Sequence, residues 1–368
     1  MRNKKPLKTI FIFLFLGGIA CLSNGCASKQ KPRENLLGTP EHYVSNGFQF
    51  LKKGRLYDAQ REFENALMHD PKYAPAHRGM GLVLGTSGRF KAAFETMALS
   101  KTCAKEKEDL ALAYVGFMQL HTMKKDAGWL DEVKENYKLS RLALEDLPDA
   151  PYHMGMAYLQ GYRFTDAEKA FNEVLVINKT LLNETNNKLD TLKRIKEVDP
   201  DSEVAKSVAI LNHVTRSQVA ALFVHELHLD QYQKELVTDT YQPPKPPDIK
   251  NHQFEEEIQK VLNWRIFGLQ FHADGTFGPD EYVSRASYAM MIADIIIRIK
   301  GSVDVAHSYP KKEISFDDVS IDAPYHDSII ICTINVGPMG STGRRFYPMG
   351  LLTGIDALLS VKKLKDKL

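Results

Sequence analysis

The sequence predicts an all-α protein in two parts, a solenoid of helical hairpins followed by a three-unit helical domain. Two observations carry that expectation. In the first half four glycines, Gly47, Gly81, Gly116 and Gly155, recur at intervals of 34, 35 and 39 residues, and self-similarity at such a period marks stacked helical repeats. In the second half one kind of helix start occurs three times, at Val214-Thr215-Arg216-Ser217-Gln218, Val283-Ser284-Arg285-Ala286-Ser287 and Leu352-Thr353-Gly354-Ile355-Asp356.

The N-terminus comes first in the chain. Arg2, Lys4, Lys5 and Lys8 precede the apolar run "TIFIFLFLGGIA", which reads as an export signal over residues 1–25 and is too short for a comfortable membrane span. A cysteine preceded by small residues directly after such a run resembles the bacterial lipobox. The resemblance implies a lipid on Cys26 of "NGCASK", with Cys21 as the alternative, and residues 26–40 as a polar tether. Ala27 follows Cys26 where an aspartate would favour the inner membrane, so an outer-membrane lipoprotein facing the periplasm is expected. Ordinary cleavage to a soluble periplasmic protein is the other reading.

Removing the four basic residues before Cys26 from 48 Lys+Arg leaves 44 against 46 Asp+Glu. A mature chain of about −2 has no general electrostatic attraction for nucleic acid. Cys103 and Cys332 lie far apart and read as free, buried thiols.

The clearest repeat, "GFQFLKKGRLYDAQREFENALMHDP", places Gly47, Phe50, Ala59, Phe63, Ala66 and Pro71 at fixed offsets. These resemble the tetratricopeptide repeat, in which small residues let two antiparallel helices approach, an aromatic fills the gap and proline ends the second helix. A second unit has Gly81, Leu84, Ala93 and Met97, a looser third contains Gly116, and a fourth has Gly155, Tyr158, Ala167 and Phe171. The longer third interval places an insertion near "KKDAGWLDEVKEN". Four units over residues 41–178 make a short solenoid with a concave groove, and the resemblance implies an unknown protein partner there. Beyond Phe171 the chain lacks Gly and Pro as far as Val198. It reads as one long helix capping the solenoid, with residues 179–204 linking the halves.

Each start in the second half heads a core helix. Thr215 and Gln218 make a capping box, and Val214 with Val219, or Val283 with Tyr288, fit the hydrophobic staple across the start. Tyr288, Met291, Ile292, Ile295, Ile296 and Ile299 then keep helical spacing. Ahead of the second start, "FHADGTFGPDEYVSRA" supplies a tight Asp274-Gly275 turn, Phe277 to pin the loop and Pro279 to stiffen its exit. Arg216 and Arg285 fall on the first helical position, where the macrodipole disfavours a cation by about 0.3 to 1 kcal/mol. A rule broken twice suggests an anion at that place. The anion is either an acidic residue of a neighbouring unit or a bound ligand.

The order Asp-Ile or Asp-Val, aromatic, helix, Gly-rich loop, Phe, Pro and capped helix resembles the S-layer homology motif. It covers residues 246–299 and 314–364 as units, with a partial unit at 205–230, all within a domain spanning 205–366. The resemblance implies units packed about a pseudo-threefold axis. It also implies binding of cell-wall polymer or peptidoglycan through Thr215, Arg216, Asp274, Gly275, Ser284 and Arg285. Gly354 stands where the third unit would carry its arginine, leaving at most two competent pockets of three.

The "HELH" at His225 to His228 lacks the i, i+4 spacing of a zinc helix. No catalytic residue, metal site or cofactor is expected. The sequence therefore points to a non-catalytic scaffold anchored in the membrane and on the wall, with a protein in its groove. An assembly factor for a secretion or surface-polymer machine, its last units serving only protein contacts, is the alternative.

Overall fold

A computed structural model describes residues 38–237, 242–300, 314–339 and 343–368. Cys21 and Cys26, and with them the expected export signal and lipid site, lie outside the described residues. Among the described residues the regular structure is helical, and β-pairing is limited to isolated bridges.

Four hairpins form the first half: α1 (Pro40–Lys52) with α2 (Leu56–His69), α3 (Ala74–Thr86) with α4 (Phe90–Cys103), α5 (Lys107–Lys124) with α6 (Trp129–Ala143), and α7 (Asp149–Gln160) with α8 (Phe164–Ile177). Local chemistry sets the first start. Thr39 caps α1 by accepting from the His42 amide, and Pro40 takes a position whose N–H has no intrahelical partner anyway. Packing sets their spacing. A Cβ on Gly47 would lie 2.5 Å from the Phe63 ring and one on Gly79 2.2 Å from it, so one fully buried aromatic holds α1, α2 and α3 together. Met97 plays that part beside Gly116, where a Cβ would meet its sulfur at 2.4 Å, and Phe171 does so beside Gly155 at 2.7 Å. The insertion in the third unit lengthens its first helix. Helix α5 runs eight residues past Gly116, whereas α1 and α3 run five past Gly47 and Gly81.

The single long helix expected after Phe171 is broken. Helix α8 stops at Ile177, and Asn178 and Leu181 take left-handed conformations at φ 52° and 63° before α9 (Leu182–Val198) begins. No glycine or proline marks this break: asparagine tolerates the left-handed region, and Leu181 adopts it at a steric cost.

Helix α9 then joins the halves. It packs on α8 and on α16 (Gly354–Lys365). Its Arg194 ion-pairs with the buried Asp356, and the carbonyls of Glu197 and Val198 each accept from Lys362 Nζ at 2.9 Å. One apolar core runs without interruption from Leu159 and Phe171 through Leu192 and Ile195 to Val219, Ile295 and Leu358.

The second half is built on α10 (Glu203–Ala209), α11 (Arg216–His225), α12 (Gln233–Leu236), α13 (Glu255–Asn263), α14 (Arg285–Lys300), α15 (His326–Val336) and α16. Its centre is a ring of three backbone hydrogen bonds just ahead of the repeated starts. The Val214 amide donates to Leu352, Leu352 to Val283, and Val283 back to Val214, at 3.0, 2.9 and 3.0 Å. The three bonds close a circuit that ties the three repeated helix starts to one another. The three residues are buried, and α11, α14 and α16 lead away from them. Cys332 is buried and Cys103 half-buried, both as free thiols.

Candidate functional site

Two places combine charge with shape: the junctions between second-half units, and the concave face of the solenoid.

At the first junction the Arg216 guanidinium spends all three of its nitrogens on one loop. Nε donates to the Phe277 carbonyl at 2.8 Å, Nη1 to Gly268 at 2.7 Å and Nη2 to Gln270 at 2.8 Å. The guanidinium also lies 4.6 Å from the centre of the Phe277 ring. The start of α11 donates to the same loop, Arg216 N to Glu281 and Ser217 N to Pro279. From the other side Asp248 accepts from the Phe277 and Gly278 amides at 3.0 and 2.7 Å. What sits at this helix start is therefore a cluster of carbonyl oxygens, whose partial negative charge offsets the macrodipole. Neither source considered from sequence included it, because a backbone carbonyl has no residue letter.

The second junction repeats the first in part. Arg285 Nε donates to Phe346 at 2.7 Å, its guanidinium lies 5.0 Å from that ring, and Asp318 accepts from the Phe346 and Tyr347 amides at 2.8 Å. Here the other two nitrogens differ. Arg285 is 6% exposed, its Nη1 is 4.0 Å from the Asp356 carboxylate, and its buried Nη2 has no hydrogen-bond partner among the described residues. Burial lowers the pKa of both arginines, opposed at Arg216 by Glu281 and Asp248 and at Arg285 by Asp356 and Asp318.

The remaining wall-binding candidates are placed as follows. Thr215 and Ser284 are N-caps, accepting from the Gln218 and Ser287 amides at 3.4 and 3.1 Å. Asp274 and Gly275 form an exposed turn tip, with Gly275 at φ 82° and Asp274 accepting from the Thr276 hydroxyl and amide. Those two bonds hold the Asp274 carboxyl below its usual range. The structure thus brings Arg216 onto the loop containing Asp274 and Gly275, but their hydrogen bonds stay inside the turn.

Gly354 has a steric cause. A Cβ there would lie 1.7 Å from the Val208 carbonyl oxygen, and the Gly354 amide donates to Leu211 at 3.0 Å. Helix α10 occupies the place that a loop takes at the other junctions, so no side chain fits. Asp356, two residues on, is the only acid in α16 and stands in its apolar first half, which was a signal for it.

The solenoid's concave face is lined by α1, α3, α5 and α7. Arg78 on α3 lies with its guanidinium 4.5 Å from the Phe48 ring centre, its stem against Gly116. No hydrogen bond or ion pair holds it among the described residues. Beside it a cavity of about 630 Å³ is lined by Gln119, Met123, Tyr152, His153, Met156 and Gln160, among others. Burial pushes the His153 pKa down to about 4, with Arg78 adding to the shift, so His153 is neutral near pH 7. Across the mouth, Lys52 at the end of α1 meets Glu184 at the start of α9 at 3.2 Å. Among the described residues no group of His, Cys, Asp and Glu is placed to hold a metal, and no helix is long and apolar enough to cross a membrane.

No family model matches the chain, and no curated protein matches it. Among solved structures, a tetratricopeptide repeat protein from Parabacteroides merdae aligns over 88% of this chain and 98% of its own at 14% identity, with a TM-score of 0.28. A structure from the functional characterisation of Pseudomonas aeruginosa pilF aligns over 44% of this chain and 93% of its own, also at 14% identity, with a TM-score of 0.22. At those scores it is the glycine and aromatic packing of the hairpins, not the likeness, that supports a tetratricopeptide-type solenoid.

Proposed function

We propose that the chain is a non-catalytic envelope scaffold that holds a segment of another protein in its concave groove and presents it at a fixed angle to the second-half domain. The observation carrying this reading is the uninterrupted core through α9, which makes groove and ring one body. The groove supplies an apolar chamber with a few convergent polar groups, the usual make-up of a recognition site. Photo-crosslinking in cells from Gln119, inside the groove, tests the reading. A discrete envelope protein is the expected product, and self-crosslinks alone would turn the groove into an oligomer interface.

A second role, attachment to cell-wall polymer or peptidoglycan, is favoured by Arg285. Its buried Nη2 lacks the acceptor that Arg216 Nη2 finds in Gln270, and an unsatisfied buried donor costs about 1 to 3 kcal/mol. An anionic group of the polymer reaches that donor only by entering the junction, since Arg285 is 6% exposed. Co-sedimentation with isolated sacculi, read together with the melting temperature, separates the possibilities. Arg285→Gln losing binding at near-native stability supports a wall contact; unchanged binding with a lowered melting temperature leaves Arg285 as a tie between units and favours the assembly-factor reading. Anchoring through a lipid on Cys26, in the outer membrane, completes the proposal. Mass spectrometry of the mature N-terminus decides it, an unmodified terminus being the contrary result.

A further inference from the structure

The groove floor holds a cation that the fold does not use. Elsewhere in the described structure buried or half-buried arginines each hold at least one acceptor: Arg194 pairs with Asp356, Arg216 with three carbonyls, Arg285 with the Phe346 carbonyl, and Arg298 with the Trp264 and Leu236 carbonyls. Arg78 has a ring beneath it and no partner at its edge. Asp149, Asp109 and Glu108 stand within electrostatic range, yet none pairs with it. The Phe48 ring 4.5 Å from the guanidinium carbon holds the cation in place without using any of its N–H donors.

We infer that Arg78 selects the groove's occupant by pairing with an acidic side chain of an extended peptide segment, whose neighbouring apolar residue fills the chamber between Met123, Tyr152 and Met156. This rests on the reading of the groove as a protein-binding surface and adds the partner's chemistry. Three features favour a carboxylate. A planar, pre-oriented guanidinium matches a carboxylate with two parallel hydrogen bonds. The Arg78 stem packs against Gly116, one helical turn before the chamber-lining Gln119 on α5, so a charged and an apolar residue close together in a peptide reach both. The surrounding Asp149, Asp109 and Glu108 repel a doubly charged phosphate more strongly than a singly charged carboxylate.

Fluorescence anisotropy on the purified mature chain tests it, using labelled pools of short, end-blocked peptides with Glu flanked by Leu and matched pools with Gln for Glu. The Glu pool is expected to bind about tenfold more tightly or better, the scale of one charge-assisted hydrogen bond. Arg78→Gln should erase the preference and Arg78→Lys retain part of it, both variants melting close to the native chain. Equal binding of the two pools, a preference that survives Arg78→Gln, or tighter binding of a phosphoserine pool would overturn the inference. If Arg78→Gln misfolds, the comparison of pools on the native chain and on Arg78→Lys still decides. Crosslinking from Gln119 keeps the two levels apart. A crosslinked partner with no preference for Glu sinks this inference alone, whereas absence of any partner sinks the groove reading as well.

Discussion

Arg285 donates its Nε to the carbonyl of Phe346 at 2.7 Å across 61 residues, repeating at the same separation the bond from Arg216 to Phe277. Each arginine reaches from the first position of one unit's core helix into the loop of the next. The loop is held again by an aspartate, Asp248 or Asp318, that accepts from its amides. Units are therefore joined by charged side chains bonded to backbone, beside the fully buried Phe277 and Phe346.

Arg216 is the fuller tie, so its loss should be felt as stability. Replacing it by Gln removes three hydrogen bonds to carbonyls. Charge-assisted bonds contribute about 1.5 to 3 kcal/mol each where buried, and one of these is exposed, so a loss of about 2 to 4 kcal/mol is expected. Urea unfolding of Arg216→Gln measures it. A change below about 0.5 kcal/mol, the scale of an ordinary surface substitution, would show that the loop holds its place without the arginine.

Gly354 should tolerate nothing larger. With a Cβ placed 1.7 Å from the Val208 carbonyl oxygen, Gly354→Ala must push α10 off α16. Overpacking of this kind costs about 1 to 3 kcal/mol or more, and backbone on both sides prevents relief by a rotamer change. The melting temperature of Gly354→Ala reads the effect. Native-like melting would mean that α10 is not seated on α16.

His153 gives the solenoid a signed pH dependence. Its pKa falls from 6.5 to about 4 on folding, so between those values the unfolded chain binds the extra proton. Stability from this group is complete above about pH 6.5 and is lost as pH drops toward 4. His153→Gln should accordingly flatten the fall in urea midpoint between about pH 7 and pH 5. Identical slopes in the two proteins would show that His153 does not titrate differently on folding.

Much of this fold was legible in the letters. The glycine interval and the aromatic offsets gave the hairpins, since a buried ring against a bare backbone leaves a fixed spacing. The capping box at Thr215 and Gln218 forms as expected, because both partners lie within four residues. The break at Asn178 to Leu181 was hidden, for it rests on left-handed conformations at Asn178 and Leu181 and not on a glycine or proline. The environment of the arginines was half legible. An unusual cation at a helix start announced a compensating negative group, but the group is a set of carbonyls some 50 to 60 residues away in sequence. Arg78 carried no signal at all, because its lack of a partner appears only when four helices are assembled around it.

In a rigid scaffold, groove and ring stay fixed relative to one another through α9, Arg194 and Asp356. Double electron–electron resonance measures this directly. Spin labels replace Tyr57 on α2 and Ile321 in the third unit, both well exposed, in a Cys103→Ser background with the buried Cys332 left in place. One narrow distance distribution is expected, broadening when Asp356→Asn removes the partner of Arg194. A broad or two-peaked distribution in the unmutated scaffold would contradict the account, since the halves would then swing on a hinge at α9.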